Sequence, residues 1–267
     1  MKPRIVSLFL VILFCLSAAA GCGKEEKKQE TVDEPTAEEQ STYDILTEAF
    51  ERTNKESSMQ FYGGTSYDPR YLGTAEGLEG SFTQNEAGQF IGTVTSTDGM
   101  CYYEHNKRYY KNITHIANSR LTHLEKPCDI ASACIEEWVI PALGFENFKE
   151  FAVAMDKEAD EITVEDGKTV ILYKSSYFGY CRLIMGDEYE SWYNQLSKTR
   201  QSELKLSNSE IKITLDEEGR FSEFSLILKT KELTATTSFS LGDYGSKPSV
   251  TAPDWKNEVG VNYGRIE

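Results

Sequence analysis

The chain is poor in the groups that most enzymes recruit for chemistry. It has three histidines, His105, His115 and His123, and none falls in an HExxH pattern. The spacing from His115 to His123 is not a zinc-ligand spacing either. GxSxG, GxGxxG, GxxxxGK[ST] and CxxC patterns are missing. Their absence removes the simplest readings as a serine hydrolase, a nucleotide-binding enzyme or a thiolate-metal protein, so no cofactor is expected. Positive charge is scarce too: 28 Lys and Arg against 43 Asp and Glu leave a net charge of −15. Nucleic acid and anionic headgroups both attract basic patches, so no nucleic-acid partner is expected. A spanning helix needs about 20 apolar residues. The one apolar stretch near the start, Ile5 to Ala20, falls short of that.

That stretch has the form of an export signal, with Lys2 and Arg4 ahead of it and the small residues Ala18, Ala19, Ala20 and Gly21 behind it. Ala19-Ala20-Gly21-Cys22 resembles the lipobox of bacterial lipoproteins, with alanine where leucine is more usual. The resemblance implies that the Cys22 thiol is acylated, carrying palmitate-type chains, and that the bond before it is cut. Residues 1–21 are then a lipoprotein signal peptide. Its loss removes Lys2 and Arg4 and no acid, which takes the charge from −15 to −17. Acyl chains contribute ~0.8 kcal/mol per buried methylene, so two or three hold a domain firmly on a membrane. Residues 22–40 comprise this cysteine and a polar tether with Val32 as its one large apolar residue, a disordered composition. As flexible coil the tether reaches ~25 Å. Residues 41–267 remain as a single extracytoplasmic α+β domain, lipid-anchored at the cell membrane.

Cysteine is sparse in that domain: Cys101, Cys128, Cys134 and Cys181. Outside the cytoplasm all four are disulfide candidates, with three fully paired connectivities. In one helix Cys128 and Cys134 would stand ~9 Å apart, too far to bridge, so a local bridge needs Cys128 outside the helix. Cys101 and Cys181 both sit in strand-like contexts, which allows a cross-strand bridge. Buried unpaired thiols are the alternative.

The domain begins with an amphipathic pattern. Tyr43, Leu46, Phe50 and Thr53, with Ala49, follow helical spacing behind Ser41, and Asp44 completes a capping-box-like start. Short aromatic and apolar runs then alternate with the turn sequences NEAG, TDG and HNKR, the pattern of an antiparallel meander. In the third run Phe90, Gly92 and Val94 face one way. A helical insert follows, with Asp129 as its cap, Ile130, Ala133, Cys134 and Trp138 on neighbouring faces, and Pro141 as its stop. Phe145, Phe148 and Phe151 predict a second short helix. Asp166-Gly167 marks a hairpin. The stretch GDEYESWYNQLSKTRQ is either helix or ordered loop. The final third alternates strictly: Leu233, Ala235, Thr237, Phe239 and Leu241 share one face, and the other is small and hydroxylated.

This order of elements, with the lipobox and the closing Tyr244-Gly245 turn and Pro248 and Pro253 tail, resembles the LolA/LppX-like group of lipoproteins. The resemblance implies a curved antiparallel sheet, a half-barrel, with an N-terminal helix and inserted helices covering one face. It also implies non-catalytic binding of a hydrophobic or lipid-like ligand between sheet and helices. Phe90, Val94, Trp138, Phe148, Phe151, Leu233 and Phe239 are the candidate lining. The alternative is an envelope or cell-surface interaction module whose 15 tyrosines meet a protein or glycan. Tyrosine also suits half-buried strands, and that explains them better. The carboxylates offer no catalytic pair: Glu136 and Glu137 point about 100° apart on a helix, and Asp216-Glu217-Glu218 occupy a turn without calcium-loop spacing.

Overall fold

The computed structural model describes residues 40–68, 76–97, 99–112, 120–204, 208–230 and 233–252. The signal stretch, Cys22, the tether before residue 40, His115 and Pro253 lie outside them. No described helix is long and apolar enough to cross a membrane.

Helix α1 (Thr42–Asn54) starts where Ser41 predicts. The Ser41 hydroxyl accepts from the Asp44 N–H at 3.1 Å and donates to the Asp44 carboxylate at 2.7 Å, satisfying a donor that the first turn leaves unpaired. Leu46, Ala49 and Thr53 are buried along its inner stripe.

Eleven strands follow in two meanders. The first comprises β1 (Met59–Asp68), β2 (Glu76–Gln84), β3 (Phe90–Ser96), β4 (Gly99–Glu104), β5 (Lys107–Asn112) and β6 (Arg120–His123). The second comprises β7 (Glu161–Glu165), β8 (Lys168–Ser176), β9 (Asn208–Leu215), β10 (Phe221–Lys229) and β11 (Thr234–Gly242). Antiparallel pairing of β1 with β11 joins them into one sheet, ordered β6-β5-β4-β3-β2-β1-β11-β10-β9-β8-β7. The ends of that order do not meet, so the sheet is open. Turn chemistry sets its registers. Asp166 and Gly167 both take positive φ, 50° and 79°, the mirror-image turn whose twist suits a two-residue hairpin. Asn85 closes the β2–β3 turn, its side-chain oxygen accepting from the N–H groups of Ala87 and Gln89 at 3.0 and 2.9 Å.

A staircase of glycine–aromatic pairs shapes the inner face. Gly63 on β1 stands opposite Phe239 on β11, Gly80 on β2 opposite Phe61 on β1, and Gly92 on β3 opposite Phe82 on β2. A methyl group on these glycines would lie 2.2, 1.9 and 2.1 Å from the facing ring. Each ring therefore lies over the bare backbone of the next strand. The rings run on as a continuous row: Phe239 to Phe61 at 6.4 Å, Phe61 to Phe82 at 5.9 Å, Phe82 to Tyr103 at 6.0 Å.

The inserted helices cover this face. Helix α2 is π-helical over Ser132–Val139 and α-helical over Ile140–Ala142, and the Asp129 carboxylate caps it by accepting from the Ser132 N–H at 2.8 Å. Pro141 does not stop it; the proline sits in the last turn, and the chain leaves the helix at Gly144, with φ of 91°. Helix α3 (Phe148–Glu158) starts on Asn147, whose side chain accepts from the Glu150 N–H at 2.9 Å. The strand-like reading around Cys181 is corrected: Tyr177–Met185 forms helix α4, capped by Ser176. Two short helices, α5 (Tyr189–Gln195) and α6 (Lys198–Leu204), follow it.

One buried cluster runs from the sheet through these helices. Phe151 meets Phe224 at 6.3 Å and Phe148 meets Phe221 at 6.1 Å, tying α3 to β10. The architecture is α+β: an open antiparallel sheet with an N-terminal helix and inserted helices over one face. The Tyr244-Gly245 turn closes it. Tyr244 donates its hydroxyl to the Phe221 carbonyl, the Arg220 guanidinium stacks 4.3 Å above its ring, and the Gly245 N–H bonds the Ser58 carbonyl at 3.2 Å.

Candidate functional site

The residues expected to line a cavity fall into two groups and one outlier. Phe90, Val94 and Phe239 belong to the inner face of the sheet, where Phe90 packs on Phe82 at 5.6 Å. Trp138, Phe148 and Phe151 reach the same core from the helices. Leu233 is buried but stands apart, ahead of β11 in a turn held by Thr230, whose hydroxyl accepts from the Leu233 N–H at 3.0 Å. Phe61, Phe82 and Tyr103, fully buried in the same cluster, escaped the sequence reading. Their signal was the glycine two residues or one strand away.

A polar latch fixes α2 to the sheet. The Glu137 carboxylate accepts from the Tyr103 hydroxyl at 2.9 Å and from Arg108 at 2.6 Å, while Trp138 donates to the Tyr103 oxygen at 2.8 Å. Burial holds the Tyr103 phenol well above its ordinary range, so it stays a donor. Burial also raises the Glu136 carboxyl, to which Asp129 adds. Glu137 turns to Arg108 while Glu136 lies by Asp129 and Ser132, so the adjacent acids diverge as the helical geometry requires. Among the described residues no three His, Cys, Asp or Glu side chains gather as a metal site would need.

The four cysteines form no bridges; each is a buried free thiol. This corrects the disulfide expectation. Cys181 lies in α4 rather than on a strand, so it has no cross-strand partner in Cys101 on β4. Burial pushes Cys101 up to about 11 and Cys128 and Cys181 up to about 12, which leaves them protonated and poorly nucleophilic. An exposed tyrosine surface is not what the described residues present either. Tyr102, Tyr103, Tyr109, Tyr173, Tyr177, Tyr180 and Tyr189 are buried, and Tyr62 is the exposed large aromatic.

A groove opens between two of the helices. Helices α1 and α3 run antiparallel, joined where the Tyr43 N–H bonds the Asp156 carboxylate at 3.0 Å. Between them lies a groove of about 360 Å³. Tyr43, Thr47 and Phe50 form one wall and Phe148 and Ala152 the other, with Glu51, Asn54 and Lys149 as a polar rim. Phe50 and Phe148 meet at 4.5 Å across its floor end. Phe50 lies about two helical turns along α1 from Thr42, the first residue of that helix.

No family model matches the chain, and no curated protein sequence does. Among solved structures it is similar to LprF from Mycobacterium bovis, at 8% identity and a TM-score of 0.30, over 79% of this chain and 96% of that one. It is also similar to Mycobacterium tuberculosis lipoprotein LppX, at 9% identity and a TM-score of 0.31, over 79% and 98%. A third is the Pseudomonas aeruginosa MucA/MucB complex, at 10% identity and a TM-score of 0.35, over 78% of this chain and 58% of that one. The chain itself is an open antiparallel sheet of eleven strands with an N-terminal helix and inserted helices over one face.

Proposed function

We propose that the protein is a membrane-tethered, extracytoplasmic binding protein that holds a hydrophobic or lipid-like group in the α1–α3 groove without catalysis. The groove itself carries this reading. Its volume of about 360 Å³ lies in the range of small-ligand pockets, ~300–1,000 Å³, and its aromatic walls with a thin polar rim match their usual lining. Phe148, one of the residues expected to line a cavity, stands in its wall. Position supports the reading as well. The tether runs directly into α1, so a lipid on Cys22 keeps the groove within ~25 Å of the bilayer from which an apolar ligand comes.

Thr47 is the residue on which to test this. It lines the groove without belonging to the buried cluster. Thr47→Trp fills the groove and leaves the core intact. Binding of a fluorescent fatty acid should saturate on the parent protein and weaken at least tenfold in the variant, with an unchanged melting temperature. Equal binding by both proteins sinks the assignment of the groove.

A further inference from the structure

Strand β7 ends the sheet, and its outer edge pairs with no strand among the described residues. In a two-residue hairpin the closing pair, here Glu165 and Lys168, exchanges both backbone bonds, and bonded pairs alternate from there. Glu161, Thr163 and Glu165 therefore bond to β8. The N–H and C=O groups of Ile162 and Val164 point out from the edge.

The side chains of those two residues are also uncovered. Ile162 stands across from Ile171, which is fully buried, so Ile162 and Val164 continue the inner apolar face of the sheet. Yet they are 42% and 72% exposed, the two large aliphatic side chains that stand exposed among the described residues. An unpaired edge with uncovered apolar side chains is a template for another strand, which native proteins normally blunt. Here the guard is acidic. Asp160, Glu161, Glu165 and Asp166 flank the apolar pair, and Glu217 approaches the hairpin turn, 3.1 Å from where a side chain on Gly167 would begin. The register sets one lysine, Lys168, across from Glu165, whereas Glu161 faces Leu172.

We infer that β7 is a docking edge for an extended polypeptide segment of another protein, one that alternates apolar residues with lysine or arginine. The charge selects the occupant. A second copy centred on Thr163 would set Glu161 against Glu165 of its partner in antiparallel pairing, and like charges directly opposite are destabilising. The net charge of −15 adds to that repulsion. A strand reading Lys-Val-Thr-Val-Lys instead places valines beside Ile162 and Val164, and lysines beside Glu161 and Glu165. Its own backbone completes the outward bonds, the strand-addition mode of peptide recognition. This surface shares no residue with the α1–α3 groove, so each stands or falls alone.

The test uses the full chain in mild detergent and a fluorescein-labelled peptide, Gly-Lys-Val-Thr-Val-Lys-Gly, followed by anisotropy. Binding should saturate, and a peptide with glutamate for both lysines should bind roughly fivefold more weakly or worse. Val164→Pro removes an outward N–H that β8 does not use, so the melting temperature should hold while affinity falls about tenfold. Glu161→Lys with Glu165→Lys, both exposed, should reverse the preference between the two peptides. No binding, equal binding of the two peptides, or full affinity in the Val164→Pro protein overturns the inference. Self-association of the parent chain that Val164→Pro abolishes overturns it as well, by assigning the edge to a second copy.

Discussion

Gly80→Ala probes the glycine–aromatic staircase where it is tightest. The added methyl would lie 1.9, 2.4 and 2.8 Å from Cε1, Cδ1 and Cζ of Phe61, against an optimum carbon contact of about 3.5–4.0 Å. The ring has to move by more than an ångström, and it has little freedom to do so. Phe61 is fully buried, with Phe82 at 5.9 Å on one side and Phe239 at 6.4 Å on the other. Overpacking of this kind costs about 1–3 kcal/mol. An off-rotamer ring adds roughly 0.5–1.5 kcal/mol. The lower unfolded-state entropy of alanine offsets about 0.4–1 kcal/mol. The net expectation is a loss of about 0.5–4 kcal/mol, read as a fall in urea midpoint at constant slope. Gly77, three residues earlier on the same strand and exposed, has no heavy atom within 4 Å of the place where an added methyl would stand. Gly77→Ala should therefore be neutral or gain a few tenths of a kcal/mol. A double-mutant cycle isolates the clash. Phe61→Ala alone costs about 3–5 kcal/mol, but in that background Gly80→Ala should cost nothing, a coupling equal to the whole of its loss in the parent chain. If Gly80→Ala matches Gly77→Ala in stability, or the cycle shows no coupling, the rings do not rest on the glycines and the reasoning fails.

Two further outcomes follow from the cysteines. Cys101, Cys128 and Cys181, held protonated up to about 11 and 12, keep protons that the unfolded chain releases near pH 8.5. Their stabilisation is complete below that pH and is lost as pH rises toward those values, at up to about 1.4 kcal/mol per pH unit per thiol. The melting temperature should fall steadily from about pH 8.5 to 11, and a flat profile would show that the thiols are not buried as described. At the other end of the chain, Cys22→Ala should abolish acyl incorporation and free the protein from the membrane fraction. Unchanged lipid labelling would refute the anchor.

Local chemistry explains what could be read from the sequence. Ser41, Asp129 and Asn147 each offer a side-chain oxygen to an N–H three residues on, so the starts of α1, α2 and α3 needed no tertiary information. Asp166-Gly167 likewise carries its own turn geometry. Helix α4 was obscured because Tyr177, Phe178, Tyr180 and Cys181 favour strands by propensity, and packing against β8 and β9 overrode that preference. Its signal was present in Ser176, three residues ahead of Gly179. Pro141 misled for a related reason: a proline in a final turn loses one bond, which the helix tolerates when a glycine three residues later takes the left-handed exit.

The alternation of strands, the starts of α1, α2 and α3 and the acidic charge could thus be read from sequence, because each is a matter of composition or of neighbours a few residues apart. Tertiary structure alone decided that Gly80 lies under Phe61, that the cysteines stay apart, that α1 and α3 leave a groove, and that β7 is an edge. Those facts depend on cross-strand register and on which elements meet, and residues distant in the chain carry no mark of their partners until the sheet brings them together.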